Sequence, residues 1–206
     1  MNSKSYNKNP LGGAFHRRNL PHFYHHDGIY FITYRLADSL PSKLVAEIKS
    51  STKNNMGLDT IRFKRLLKKY DDILGKGNFG AKHLSIPDVA DICRSTLHYP
   101  DGKDYELICY CIMPNHIHLI FELLESNKGI SKIMQSIKRI SARKSNLLLN
   151  KSGTFWQDES YDRLVRDDKE LYFIVRYVLL NPVTAGFVNN WKEWKYTYCH
   201  PDYIVL

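Results

Sequence analysis

No stretch of this 206-residue chain is apolar for the roughly 20 residues that a membrane-spanning helix needs. The N-terminal segment MNSKSYNKNPLGG also lacks the apolar run of a secretory signal. The chain has no internal repeat and no low-complexity segment. We therefore expect a globular cytoplasmic protein with no membrane partner.

Cysteine is scarce, and its spacing does not suit zinc. The four cysteines are Cys93, Cys109, Cys111 and Cys199. Cys109 and Cys111 alternate within an apolar run, which predicts small buried side chains. A zinc site usually needs a second pair of ligands at similar spacing, and only Cys199-His200 could supply one. The sequence therefore does not favour structural zinc.

Acidic residues are the minority, with 21 Asp and Glu against 30 Lys and Arg, a net charge of +9 and a pI near 9.3. This excess favours a polyanionic partner, and nucleic acid is the usual one. Many basic proteins bind no nucleic acid, so charge alone does not decide the function. We expect the protein to be associated with the nucleoid if its partner is DNA.

The pattern of apolar residues predicts a mixed α and β protein. Strands are predicted over 29–37, 105–113, 116–124 and 160–166, with a tight Pro114-Asn115 hairpin between the second and third. Helices are predicted over 85–100, 129–149 and 168–180. We expect Ser85 to cap the first helix, Asp167 and Glu170 to form a capping box on the last, and Asn181-Pro182 to end it.

The order of these elements predicts an α+β fold built on a split βαββαβ unit, the ferredoxin-like plan. Such a unit forms an antiparallel sheet with helices packed on one face. We expect an N-terminal arm over 1–28, a single domain over 29–190 and a C-terminal tail over 191–206. A charged segment over 41–82 is predicted to be a helical insert after the first strand.

The segment MPNHIHLIF (113–121) places two histidines one residue apart on a predicted strand. Because alternate residues of a strand share a face, His116 and His118 are expected to project side by side. They could ligate a metal, although two imidazoles do not complete a coordination shell. The alternative is that they are polar rings on the solvent face of a half-buried strand.

The last predicted helix offers two further candidates. It is apolar almost all round from Leu171 to Leu180, which predicts that it is buried. Tyr177 and Asn181 are four residues apart and so share one helical face, and an asparagine carbonyl can ligate a metal. Alternatively, Tyr177 is an aromatic core residue, and Asn181 is the C-cap before a proline.

MPNHIHLIF, followed by FWQDESYDRLVRDDKELYFIVRYVLLNPVTAGFV, resembles the REP-associated tyrosine transposases of the single-tyrosine HUH transposase superfamily. The segments RRNLPHFY and WKEWKYTY resemble the same family. The resemblance implies that His116, His118 and Asn181 bind a divalent metal, Mg²⁺ or Mn²⁺, and that Tyr177 is the nucleophile. It also implies cutting of single-stranded DNA near hairpins through a covalent 5′-phosphotyrosine, by a monomer rather than a domain-swapped dimer.

The expected DNA surface is broader than this site. The arm could contact the single-stranded DNA at the foot of a hairpin through Arg17, Arg18 and His22. Unpaired bases could stack on aromatic side chains such as Phe155, Trp156 and Tyr161. Phosphate contacts are expected from the second helix, at Lys132, Lys138, Arg139, Arg143 and Lys144. The alternative is that these charges form a solvated helix face and the aromatic rings belong to the core.

Two other functions are compatible with the sequence. A ferredoxin-like sheet with basic and aromatic residues also describes non-catalytic modules that bind DNA or RNA hairpins. A hydrolytic metalloenzyme acting on a small substrate is a third possibility, but the carboxylate-rich site that usually supplies its general base is missing from the motif.

Overall fold

The computed structural model describes residues 14–17, 21–24, 28–39, 74, 80–125 and 127–204. Its strands are β1 (Ala14–Arg17), β2 (Pro21–Tyr24), β3 (Ile29–Arg35), β4 (Tyr105–Ile112), β5 (His116–Leu123), β6 (Tyr161–Leu164) and β7 (Thr197–Cys199). β3 to β7 form a five-stranded sheet in the order β6-β3-β5-β4-β7, and every neighbouring pair is antiparallel. β1 and β2 pair separately.

The principal helices are α1 (Pro87–His98), α2 (Ile130–Leu148) and α3 (Asp168–Thr184). α1 and α2 pack against one face of the sheet, whereas α3 packs against the opposite face. The predicted α+β class is confirmed. The expectation of helices on one face concerned the βαββαβ unit, whose helices α1 and α2 do share a face. The later helix α3 buries its apolar side chains against the other side. Within the described ranges, no helix combines the length and apolar character required to cross a bilayer.

Both faces of the sheet are covered, so its central strands are buried throughout. All seven residues of β3 are buried, with Tyr30 and Ile32 in the α1 and α2 layer and Phe31 in the α3 layer. In β5, Ile117 and Leu119 face α1 and α2. The intervening residues of β5, including His116 and His118, therefore face α3.

Two helix ends differ from the sequence prediction. The N-cap of α1 is Ile86, without a side-chain cap bond, rather than Ser85, which belongs to a preceding 3₁₀ turn. The prediction that Asn181-Pro182 ends α3 was also wrong. The helix continues to Thr184, and the Ala185 N–H donates to the Asn181 carbonyl at 2.9 Å. Proline removes only one backbone donor close to the helix end, and the surrounding packing tolerates that loss.

The pairing of two regions was not predicted. The tail contributes β7, which pairs with β4 through Cys109↔Cys199, Tyr110↔Tyr198 and Cys111↔Thr197. The arm contains the β1–β2 pair, whereas the sequence predicted no strand over 1–28. The helices predicted in the 41–82 insert lie outside the described residues, except for Leu74 and residues 80–82.

Candidate functional site

The two histidines begin β5, directly after the hairpin turn. Their Nε2 atoms lie 3.1 Å apart, and the side chains are 1% and 0% exposed. His116 and His118 therefore project side by side, as the strand spacing predicted. The alternative that they lie on a solvent face is wrong, because α3 covers this side of the sheet.

α3 brings the other two predicted residues to the same place. The Asn181 Nδ2 atom lies 3.3 Å from His118 Nε2, and the Tyr177 ring centroid lies 5.3 Å from that of His118. Phe31 stacks on His118 at 5.7 Å and meets the edge of Tyr177 at 6.1 Å. Asn181 is buried within the helix rather than at its C-cap, and Tyr177 is half-buried.

The start of α3 is fixed to the neighbouring strand β6 by Glu170. Asp167 caps the helix as predicted, accepting from the Glu170 N–H at 2.8 Å. The predicted return bond of a capping box is replaced by another contact. The buried Glu170 carboxylate accepts from Arg163 Nη2 at 2.6 Å and from the Arg166 backbone N–H at 2.9 Å.

The electrostatics of this contact favour an ionised Glu170. Burial by itself raises the pKa of this carboxyl, but the hydrogen bonds from Arg166 and the charge and hydrogen bonds of Arg163 outweigh it. The net result is a pKa below the ordinary value of 4.5. The ion pair therefore ties α3 to β6 within the same chain.

Sequence reasoning missed two residues that contact the histidines. Thr33 Oγ1 lies 2.8 Å from His118 Nδ1, and Asn115 Oδ1 lies 2.7 Å from His116 Nδ1. Thr33 is the cross-strand partner of His118, which only the strand register reveals. Asn115 immediately precedes His116, and the sequence predicts for it only a role in the turn.

Tyr161 lies in the same cross-strand row, because Thr33 pairs with Tyr161 on one side and with His118 on the other. Its ring is half-buried and meets Phe31 at 6.3 Å. Burial raises the pKa of Tyr161 to about 12, although the nearby charge and hydrogen bond of Arg163 lower it. Tyr161 therefore ionises less readily than an ordinary tyrosine.

The structure corrects the expectation that Trp156 stacks on a DNA base. Trp156 is 4% exposed, donates from Nε1 to Ser141 Oγ at 2.9 Å and packs against Tyr34 with ring centroids 4.8 Å apart. It therefore belongs to the core, which was the alternative assignment. Phe155 is likewise buried, at 5% exposure.

Of the basic residues predicted on α2, one is hydrogen-bonded within the protein and the others are exposed to solvent. Lys138 Nζ donates to the carbonyls of Gln157 at 2.9 Å and Asp158 at 3.0 Å, so it braces the segment before β6 rather than facing solvent. The other predicted α2 cations are exposed: Lys132, Arg139, Arg143 and Lys144. They lie on the opposite side of the sheet from the histidine pair. The backbones of Arg17 and His22 lie in β1 and β2, whereas Arg18 falls outside the described residues.

Among the residues that the structure describes, no group of three His, Cys, Asp or Glu is placed to hold a metal ion. A metal at the histidine pair would therefore need a ligand of another type, and the Asn181 amide is at hand. Two imidazole nitrogens and one amide oxygen, completed by water, suit Mg²⁺ or Mn²⁺, of which Mn²⁺ better tolerates nitrogen.

Comparison with known proteins shows which proteins the chain is similar to. Residues 87–180, a segment that includes both histidines and Tyr177, are similar to the family model described as "Transposase IS200 like". The resemblance to REP-associated tyrosine transposases inferred from the sequence is confirmed by relatives and by fold.

Two relatives carry the name of REP-associated tyrosine transposase. The chain is 32% identical over 115 residues to a putative REP-associated tyrosine transposase of Haemophilus influenzae, covering 51% of this chain and 62% of that protein. It is 25% identical over 100 residues to the REP-associated tyrosine transposase of Escherichia coli K12, covering 48% and 58%. The chain thus spans about three-fifths of these relatives' length.

A solved structure shares the fold. It is that of a REP-associated tyrosine transposase bound to a REP hairpin, with a TM-score of 0.55 and 17% sequence identity. The match covers 88% of this chain and 80% of the other. The likeness shows that the two chains share an overall fold.

Proposed function

We propose that this protein is a metal-dependent endonuclease and strand transferase that cuts single-stranded DNA near hairpins, with Tyr177 as the nucleophile. The observation that carries the proposal is the meeting of Tyr177 and Asn181 with the buried histidine pair. These side chains come from α3 and β5, which are distant in sequence, and Tyr177 lies beside His118 at a ring distance of 5.3 Å.

Under this proposal His116, His118 and Asn181 hold a divalent metal, Mg²⁺ or Mn²⁺. The spacing of the imidazoles supports the assignment. An octahedral ion with ligands at about 2.1 Å keeps adjacent ligand atoms about 3.0 Å apart. The two Nε2 atoms lie 3.1 Å apart. When bound, the metal supplies a Lewis acid that polarises the scissile phosphate.

Tyr177 performs the covalent step. Its phenol oxygen forms a bond to phosphorus while the bond from phosphorus to the 3′ oxygen breaks, so one phosphodiester replaces another. The phenol loses its proton, and the 3′ oxygen gains one and leaves as a hydroxyl. Because the phosphotyrosine conserves the bond energy, a 3′-hydroxyl can later reverse the step and seal a new junction. α3 supplies the rigid support that this positioning requires.

We further infer that the chain acts as a monomer on its own site and that β3 to β6 follow the ferredoxin-like plan. The Arg163–Glu170 pair, at 2.6 Å, supports the first inference because it ties α3 to β6 of the same chain. The order β6-β3-β5-β4, with α1 and α2 on one face, supports the second.

The exposed face of α2 is the proposed phosphate-binding surface. α2 has no acidic residue over its whole length, Ile130–Leu148. Lys132, Arg139 and Arg143 recur at spacings of seven and four residues, which places them along one side of the helix. Phosphate contacts of this kind position DNA without reading its sequence.

The test is the formation of a covalent adduct. The full chain is incubated with Mn²⁺ and end-labelled DNA hairpins carrying randomised single-stranded flanks, and the products are separated on a denaturing gel. We expect a protein–DNA adduct that Tyr177→Phe abolishes while hairpin binding persists. Tyr172→Phe is the matched control, because Tyr172 lies on the same helix and is 48% exposed.

Two results would contradict the proposal. One is an adduct that survives Tyr177→Phe. The other is hairpin binding by the wild-type protein without an adduct on any member of the library, which would instead identify a non-catalytic hairpin-binding module.

A further inference from the structure

Each histidine of the pair has a buried polar partner on its Nδ1 atom. Asn115 contacts His116 at 2.7 Å, and Thr33 contacts His118 at 2.8 Å. The two partners are 2% and 1% exposed, so water does not replace these contacts easily. In metal sites, such partners fix which ring nitrogen carries the proton and which presents its lone pair.

The orientation of the Asn115 side chain follows from its other contact. Its Nδ2 atom donates to the Leu74 carbonyl at 3.1 Å. A backbone carbonyl only accepts hydrogen bonds, so the NH₂ group of the amide must face Leu74. The amide oxygen of Asn115 must then face His116. This removes the usual ambiguity between the nitrogen and oxygen of an asparagine amide.

This orientation decides the tautomer of His116. Because an amide oxygen only accepts, the His116 Nδ1 atom must carry the proton and donate it. In the neutral ring, Nε2 then presents a lone pair toward His118, whose Nε2 atom is 3.1 Å away. The backbone carbonyl of Asn115 further fixes the turn by accepting from the Leu36 N–H at 2.9 Å.

Thr33 has a different effect, because a hydroxyl can both donate and accept. Without a metal, a single proton lies between the two Nε2 atoms, and it belongs to His118. The Nδ1 atom of His118 then accepts a hydrogen bond from the Thr33 hydroxyl. With both rings ligating one cation, the His118 proton must instead lie on Nδ1, and Thr33 accepts it. The ring stays neutral in both arrangements, and rotation of the hydroxyl accommodates the change.

We propose that Asn115 and Thr33 are positioning residues of the histidine pair. Asn115, oriented by the Leu74 carbonyl, fixes His116 with its Nε2 lone pair inward, and Thr33 allows His118 to present its own. The inference rests on the metal site of the proposed function. Leu74, whose carbonyl orients Asn115, belongs to the 41–82 segment.

Two measurements test it on the full-length chain. The first is the tautomer of His116 in metal-free protein, from two-bond ¹H–¹⁵N correlations, with the signal assigned by its loss in His116→Gln. We expect the Nδ1–H form in the wild type and a loss of that preference in Asn115→Leu. An Nε2–H form in the wild type would overturn the proposal, whatever the variants do.

The second measurement is Mn²⁺ affinity by calorimetry. We expect Asn115→Leu and Thr33→Val to weaken binding about 10- to 100-fold. Thr33→Ser keeps the hydroxyl and should stay within about threefold of the wild type. Unchanged affinity in both disruptive variants would overturn the proposal. If the wild type binds no Mn²⁺, the proposed metal site and the role of Thr33 both fail, and the tautomer measurement decides the role of Asn115.

Discussion

The side-chain amide of Asn181 lies 3.3 Å from the Nε2 atom of His118, although the two residues are 63 positions apart in the chain. One belongs to α3 and the other to the central strand β5. Their approach depends on α3 crossing the sheet face that carries the histidines. An amide has both a donor and an acceptor end, so a rotation of the Asn181 side chain exchanges one for the other at this point.

Substitution of Asn181 should change metal affinity in two directions. Asn181→Asp replaces an amide oxygen with a charged carboxylate, a stronger ligand for Mg²⁺ and Mn²⁺, and should tighten Mn²⁺ binding. Asn181→Leu removes the ligand atom and should weaken binding about tenfold or more. Calorimetric titration with Mn²⁺ measures both effects. Equal affinities in the two variants, with folding confirmed by circular dichroism, would remove Asn181 from the ligand set.

Removal of the Glu170 charge should destabilise the fold. The Glu170 side chain is 2% exposed and its partner Arg163 is 11% exposed, so Glu170→Gln removes the negative charge from a largely buried ion pair. We expect a loss of about 3 kcal/mol in the free energy of unfolding, measured with urea. Asp168→Asn is the matched control: it removes an exposed charge from the same helix turn and should cost less than about 1 kcal/mol.

The same pair predicts a dependence on pH. The pKa of Glu170 is below its ordinary value of 4.5 in the folded protein. Its contribution to stability is therefore complete above pH 4.5 and is lost as pH falls through the folded-state pKa. The difference in unfolding free energy between the wild type and Glu170→Gln should shrink on acidification below pH 4.5. A difference that stays constant through this range would contradict the assigned ion pair.

The sequence predicted those features of the site that depend on the residue spacing within a single strand or helix. The two-residue spacing of His116 and His118 and the four-residue spacing of Tyr177 and Asn181 each depend on one element only. The roles of Thr33 and Asn115 depend on contacts between elements. No local pattern indicates that Thr33 will pair with His118, and only the tertiary structure brings Leu74 to Asn115.

The same limit explains the errors. Trp156 occurs in a polar segment and resembles an exposed aromatic residue, yet its indole N–H finds Ser141 in the middle of α2. The rule that proline ends a helix failed at Pro182, because the apolar residues of α3 remain packed on the sheet through that turn. In both cases packing between elements outweighed a local preference.

Trp156 should contribute to stability rather than to DNA affinity. Trp156→Phe retains a ring in the core but loses the hydrogen bond to Ser141, at a cost of about 1 kcal/mol in unfolding free energy. Hairpin affinity, measured well below the melting temperature, should not change. A double-mutant cycle with Ser141→Ala isolates the bond. A large loss of hairpin affinity in Trp156→Phe without a change in stability would instead indicate that Trp156 stacks on a DNA base.

The exposed cationic side chains of α2 should bind DNA phosphates, whereas Lys138, which is hydrogen-bonded within the protein, should not. Lys132→Gln, Arg139→Gln and Arg143→Gln should each weaken hairpin binding for all sequences alike and lower the slope of log K against log salt by about 1. Lys138→Gln, in the same helix, is the matched control. Because its Nζ already donates to the Gln157 and Asp158 carbonyls at 2.9 and 3.0 Å, it should reduce stability and leave the slope unchanged. If all four variants have the same slope as the wild type, the DNA binds to another surface.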